Sequence, residues 1–146
     1  MIVVNGIRIL LIGSTGQVGW ELARTLMPLG RVIVPERRLC DLARPDQLTA
    51  LVDASQPDVI VNAAAYTAVD KAEQEARLAM AVNAEAPGAL AIAARRHGSL
   101  LVHYSTDYIF DGVKAGAYSE TDTPNPSQRL WPQQAGGRAS SACCRC

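Results

Sequence analysis

Net charge is the first thing this sequence lacks. Its Lys and Arg total 14 and its Asp and Glu total 14, so no positive field invites nucleic acid or an anionic membrane. Long apolar runs are missing as well, and none approaches the roughly 18 residues of a membrane span. Met1 to Gly6 has neither the charged start nor the apolar stretch of a secretion signal, and the expectation is a cytoplasmic protein. Cysteine is scarce and badly spaced for chemistry: Cys40 stands alone, and Cys143, Cys144 and Cys146 crowd the end. A zinc site needs separated ligand pairs, or cysteine with histidine at set spacing, and neither His97 nor His103 completes one. No metal site is expected from these residues.

What is present is a chain of 146 residues, 49% hydrophobic, enough for one domain with a core and not for two. Ile9-Leu10-Leu11-Ile12 runs directly into Gly13-x-x-Gly16-x-x-Gly19, and an amphipathic stretch follows. That succession reads as a buried strand, a tight turn and a helix N-terminus. The amides of a first helical turn have no carbonyl partners and carry the positive end of the peptide dipole, so they can hold a diphosphate without a cationic side chain. Gly13 permits the turn, Gly16 lets backbone approach phosphate, and Gly19 lets the helix pack close to the strand.

Periodicity then alternates. A strand over Arg8 to Ile12 precedes a helix from Gln17 to about Met27, with Val18, Leu22, Leu26 and Met27 on one face. Arg31 to Val34 is a second strand, and Pro45 to Ala54 a helix with Leu48, Leu51 and Val52 inward. A strand from Pro57 to Asn62 continues into Ala63 to Thr67. Val69 to Val82 and Asn83 to Arg96 read as helices, with Pro87 in a first turn and His97-Gly98 closing the second. Leu100 to Tyr104 is a strand, with Ser105-Thr106-Asp107 at its end. Strands alternating with helices of this length predict an α/β fold, a doubly wound, mostly parallel sheet with helices on both faces. In such sheets ligands sit at the carboxyl ends of the strands, and the loop after the second strand meets the adenosine ribose. This loop offers Glu36, Arg37 and Arg38, which leaves NAD(H) against NADP(H) open and leans to NADP(H).

The motifs together resemble the extended branch of the short-chain dehydrogenase/reductases. They are Gly13-x-x-Gly16-x-x-Gly19, Asp41-Leu42, Asn62-Ala63-Ala64-Ala65 and Ser105-Thr106-Asp107-Tyr108-Ile109-Phe110-Asp111-Gly112. Gly16-Gln17-Val18-Gly19, Ala65 to Glu73 and Tyr104 to Tyr108 are similar, more narrowly, to the reductases of dTDP-linked 4-keto-6-deoxy sugars. The resemblance runs from about Ile7 to Pro126. It implies a Rossmann-type fold and NADPH-dependent reduction of the C4 ketone, giving dTDP-L-rhamnose. It implies coenzyme contacts from Gln17, Val18, Arg37, Asp41, Leu42, Ala65, Tyr66, Thr67 and Tyr104, besides the three glycines. Substrate contacts would come from Val69, Asp70, Thr106 and Asp107, with the Thr106 hydroxyl on the carbonyl oxygen. Members of the family are often dimeric, sometimes with Mg²⁺ between subunits. Two other readings stay open: a non-catalytic, coenzyme-binding regulatory subunit similar to the partner of methionine adenosyltransferase, and an epimerase or dehydratase of another nucleotide sugar.

The family's proton donor is the tyrosine of Tyr-x-x-x-Lys, its pKa lowered by the lysine. Neither tyrosine nor lysine occurs after Tyr118. Where the family continues with Tyr-Gly-x-Ser-Lys, this chain turns to Arg, Gln, Gly, Ser and Cys without apolar periodicity. The genetic code offers a reason. Trp131 is TGG and every Pro132 codon begins with C, so reading one base later gives glycine. Gln133 then yields Ser or Asn, Gln134 yields Lys or Arg, and permitted codons for Leu130 yield Tyr. The shifted frame can thus read Asn-Val-Tyr-Gly-Arg-Ser-Lys. The expectation is a one-base frame change near Pro126 or Ser127, with residues 1–126 an incomplete NAD(P)-binding domain, 127–146 an aberrant, disordered tail, and the polypeptide inactive.

Overall fold

Four parallel strands pair in the order β2-β1-β3-β4 in a computed structural model, which describes residues 6–68, 71, 74–106, 109–119, 121–123 and 125. The strands are β1 (Ile7–Ile12), β2 (Gly30–Ile33), β3 (Val59–Asn62) and β4 (Leu100–His103). Their register sets Leu10 between Ile33 and Ile60, and lines up Ile12, Asn62 and His103 across one end. The chain order reverses about β1, which makes the gap between the β1 and β3 ends the switch point of the sheet.

From Ile9 to Ile12 β1 is apolar at every position because both of its faces are covered there, whereas exposed Ile7 and the charged Arg8 stand at its start. Leu10, Ile12 and Ile60 pack on one side against Leu48 and Val52 of α2 (Pro45–Ser55) and Leu90, Ala93 and Ala94 of α4 (Ala86–His97). Ile9, Leu11 and Val61 face the other side, where α1 (Gln17–Thr25) supplies Leu22 and Ala23, and Leu26 follows it. Each aliphatic side chain buried this way contributes about 1.5–3 kcal/mol, against about 1 kcal/mol or less for an exposed ion pair, so the core and not surface charge holds the fold. Cys40 joins the first of these clusters. Burial, and secondarily the neighbouring Asp41 carboxylate, pushes its thiol up to about 11.

The helix-both-faces architecture is as the alternation predicts, and several boundaries differ from the sequence reading. α1 stops at Thr25 and passes into a 3-10 turn, Met27–Leu29, where Pro28 has no N–H to continue the helix. Val18 (49% exposed) and Met27 (61%) therefore do not join Leu22 and Leu26 in the core. β2 ends at Ile33, before Pro35. β3 ends at Asn62, and Ala63 to Ala68 are not strand. Of the long alanine-rich stretch, where Val69, Asp70, Ala72 and Glu73 lie outside the described residues, the part that follows forms a five-residue helix, α3 (Ala76–Met80), and then a π-turn, Ala81–Glu85, before α4. There the Ala86 N–H donates to Ala81 O, five residues back, and Pro87 in the next turn has no N–H for an ordinary helical bond.

At the amino-terminal end of the sheet the charged side chains pair with one another. The Arg8 N–H donates to Asp58 Oδ2 at 2.7 Å, and Asp53 Oδ1 lies 2.7 Å from His97 Nε2 and also accepts from Arg96. Ser99 Oγ donates to Pro57 O at 2.7 Å.

Candidate functional site

The turn between β1 and α1 opens at the other end, beside the switch point. Gly13 takes φ +87°, and a Cβ there would meet Ala64 N at 2.5 Å, so the turn both bends left-handedly and lies against the backbone beyond β3. Gly19 is buried, and a Cβ on it would come within 2.0 Å of Gly13 O. Gly16 differs: its added Cβ would meet only Gly13 O, at an ordinary 3.5 Å. Protein packing thus requires glycine at 13 and 19, whereas at 16 the missing side chain keeps the mouth of the turn open.

Gly16 N–H donates to Gly13 O at 3.1 Å, and the first intrahelical bond runs from Trp20 N–H to Gly16 O at 2.8 Å. The amides of Gln17, Val18 and Gly19 precede that bond and have no helical carbonyl to reach. No side chain caps Gly16, and the first turn holds no acidic residue. An uncapped helix start with exposed Gln17 and Val18 and no carboxylate fits a diphosphate group.

The remaining predicted contacts line the same edge. After β2, Arg38 Nε pairs with Glu36 at 2.5 Å. Arg37, exposed on the short 3-10 turn Arg37–Leu39, has no ion-pair partner among the described residues. Asp41 Oδ1 accepts from Ala43 N–H at 3.0 Å, an Asx turn, and half-buried Leu42 packs on the core. Beyond β3, Ala65 and Thr67 are exposed and Tyr66 is half-buried. The Tyr66 hydroxyl donates to Glu75 at 2.8 Å. Loss of water around it, and then the Glu75 carboxylate, raise its pKa above the usual 10.0. Tyr104, 45% exposed, and half-buried Thr106 follow the end of β4. Val69, Asp70 and Asp107, predicted to meet substrate, lie outside the described residues, as does the segment 126–146.

Sequence reasoning assigned no role to two asparagines that are buried, Asn62 of the Asn-Ala-Ala-Ala motif and Asn83. Asn62, fully buried, accepts from Ala64 N–H at 3.2 Å and lies 3.2 Å from His103 Nδ1. Burial holds the His103 pKa below 6.5, which the Asn62 contact only partly opposes. Asn83, 2% exposed, bonds the backbone of Tyr66 at both ends. An asparagine amid the alanines of a helical face was the available signal, since a buried amide must find partners. Beyond β4, residues 109–119 with 121–123 and 125 fasten to themselves. Asn125 N–H donates to Ile109 O at 2.9 Å, Asp111 accepts from the Tyr118 hydroxyl at 2.9 Å and from Asn125 Nδ2 at 2.7 Å, and Lys114 pairs with Asp122 at 2.6 Å. Among the described residues no group of three or more His, Cys, Asp or Glu is placed to hold a metal ion, and no helix is long and apolar enough to cross a membrane.

The family model of the RmlD substrate binding domain matches residues 7–130. This chain belongs to that family. It is 56% identical over 119 residues to a dTDP-4-dehydrorhamnose reductase of Burkholderia thailandensis, covering 82% of this chain and 40% of the relative. The Salmonella typhimurium protein of the same name is 50% identical over 122 residues, 81% of this chain and 41% of that one. Among solved structures, dTDP-4-dehydrorhamnose reductase from Bacillus anthracis in complex with NADP superposes with a TM-score of 0.87 at 31% identity, over 94% of this chain and 49% of that one. A UDP-glucose 4-epimerase of Thermus thermophilus, at 22% identity and TM-score 0.79, shares the fold. The chain spans about two-fifths of the length of the curated relatives it matches.

Proposed function

We propose that this chain is the coenzyme-binding part of an NADPH-dependent dTDP-4-dehydrorhamnose reductase, acting on dTDP-4-dehydro-6-deoxy-L-mannose to give dTDP-L-rhamnose in the cytoplasm. One observation carries the reading: an uncapped helix start behind Gly13-x-x-Gly16-x-x-Gly19, at the switch point of the sheet, in a chain 56% identical to a reductase of that name. The likeness to the NADP complex of the Bacillus anthracis protein supports the choice of coenzyme. A bound nicotinamide coenzyme supplies the hydride for ketone reduction.

The chain's own residues do the rest of the work proposed here. The amides of Gln17, Val18 and Gly19 hold the diphosphate. Arg37 receives the ribose phosphate of NADP(H), because the neighbouring Arg38 charge is already matched by Glu36; NAD(H) binds more weakly for want of that phosphate. Asp41 and Leu42 border the adenine side, and Ala65, Tyr66, Thr67 and Tyr104 flank the nicotinamide half. The Thr106 hydroxyl donates to the ketone oxygen, and Val69, Asp70 and Asp107 meet the sugar. Reduction also needs a proton donor aimed at the developing alkoxide, and these 146 residues contain no Tyr-x-x-x-Lys. These 146 residues by themselves are expected to bind NADPH without turning over the keto sugar, and the gene is expected to carry a one-base frame change near Pro126 or Ser127.

Calorimetry with NADPH and NADH, beside an assay of NADPH absorbance with the keto sugar, tests both halves. Arg37→Ala should weaken NADPH about tenfold and leave NADH unchanged. Absence of heat with either coenzyme overturns the binding reading, and turnover at the rate of a full-length relative overturns the assignment of roles. The nucleotide sequence around Pro126 decides the frame.

A further inference from the structure

The register brings Ile12, Asn62 and His103 into line across the ends of β1, β3 and β4. The two polar members of that row fix one another's hydrogen bonds. Asn62 is fully buried, and its Oδ1 accepts from Ala64 N–H at 3.2 Å. A main-chain amide can only donate, so this bond settles which end of the carboxamide is oxygen. The other end, Nδ2, lies 3.2 Å from His103 Nδ1. An NH2 group also only donates. Nδ1 must then be the bare nitrogen, and the neutral imidazole keeps its proton on Nε2.

A second proton on the ring breaks this arrangement. The imidazolium presents N–H at both nitrogens, and Nδ1–H would face the Asn62 amide, donor against donor. Turning the carboxamide over relieves that clash and creates another, because Nδ2 would then face Ala64 N–H. The conflict passes to the segment beyond β3, which lies against the diphosphate turn. A Cβ on Gly13 would fall 2.5 Å from Ala64 N and 2.8 Å from Ala63 C. Packing this close leaves no slack, so a displaced Ala64 must move Gly13 or open a gap beside it.

The surroundings keep the ring neutral. β3 brings only Val59 to Asn62 alongside β4, none of them titratable. The helix packed on β4, α4, carries Arg95, Arg96 and His97 on its last turn, at the other edge of the sheet. Glu85 ahead of α4 and Tyr104 beyond β4 are exposed, and Asp107 lies outside the described residues. Loss of water around the ring holds its pKa below 6.5, the Asn62 backbone opposes this in part, and no charged group among the described residues contributes.

We infer that His103 is a positioning residue for coenzyme binding: its bare Nδ1 holds Asn62 toward Ala64 N–H, and a proton there loosens the Gly13 turn and weakens the coenzyme's hold. The inference rests on the coenzyme reading above. By reciprocity, bound coenzyme opposes that proton.

The test titrates NADP⁺, which withstands acid, into the 146-residue wild type and His103→Asn, from about pH 7.5 to about pH 5.0 across the histidine range, with a melting curve at each pH. Asparagine can set Oδ1 where Nδ1 stood, an acceptor that takes no proton in this range. His97, the other histidine, and the phosphate of NADP⁺ titrate alike in both proteins, so the difference between the two profiles reports His103. The wild type should lose about threefold more affinity than the variant at the lower pH. In wild-type ¹H–¹⁵N spectra the ring should show Nε2–H near neutral pH, and NADP⁺ should lower the His103 pKa; these readings carry the test if the variant does not fold. Superimposable profiles, an Nδ1–H tautomer, or a His103 pKa indifferent to NADP⁺ overturns this inference alone. No heat from the wild type at the upper pH overturns the coenzyme reading and this one with it.

Discussion

Where the strands begin, side-chain charges answer one another; where they end, backbone groups stand open. The lower edge holds the Arg8–Asp58 pair and the Asp53, His97 and Arg96 group, each exposed to solvent. The upper edge has small residues, Gly13, Gly16 and Ala63 to Ala65, around a helix start with no side-chain cap and no carboxylate in its first turn. Charge is abundant at the end without a proposed site and sparse in the turn of the end that has one. A paired carboxylate and cation have little left to offer a ligand, whereas amides without an acceptor can be satisfied only by water or by an anion.

Three substitutions would break or sharpen that contrast. Gly19→Ala has the largest expected effect, because its Cβ would overlap Gly13 O at 2.0 Å and neither backbone can yield cheaply; a loss of about 3 kcal/mol, seen as a fall of roughly 10 °C or more in melting temperature, is expected. Gly16→Ala separates site from scaffold. Its φ of −82° suits alanine and its Cβ has room, so stability should change by about 1 kcal/mol or less. NADPH affinity should still drop about tenfold, as the methyl enters the mouth of the turn. Similar losses of stability at 16 and 19 would erase the distinction between them.

The smallest effect is expected at the lower edge. His97 and then Arg96 hold the Asp53 carboxyl below its usual 3.8. A depressed acid pKa contributes stability above the unfolded value and loses it as pH falls through the folded one. Asp53→Asn should therefore flatten the acid limb of a melting-temperature profile and leave coenzyme affinity untouched at neutral pH. A change in NADPH binding would show that the two ends are coupled.

The helices and strands nearest the first turn were legible because their cause is local. Ile9 to Ile12 are apolar on consecutive positions, and Gly13 and Gly19 serve the turn and the close packing that the spacing predicts. Leu48 and Val52 face the core as their periodicity requires. The misreadings share a different cause. Ala63 to Thr67 look like a strand, but after Ala63 the backbone turns to side chains, Ala64 to Asn62 and Tyr66 to Asn83, and no window of neighbouring residues contains Asn83. Val18 and Met27 satisfy a helical face by spacing alone, whereas the helix ends too early to deliver Met27 and Val18 stands at the turn's mouth. The π-turn arises where Pro87 withdraws one N–H, a consequence of packing and chain geometry that composition does not announce.

Cys40 gives the folded state a chemical timer. With its thiol pushed up to about 11 and its surface 9% exposed, the buried group holds its proton at neutral pH and presents little of the reactive anion. Alkylation by iodoacetamide, followed at the peptide bearing this residue, can then proceed at a useful pace only from forms in which the seam between β2 and α2 has parted. The rate of that labelling counts such openings directly, without dye, coenzyme or mutation.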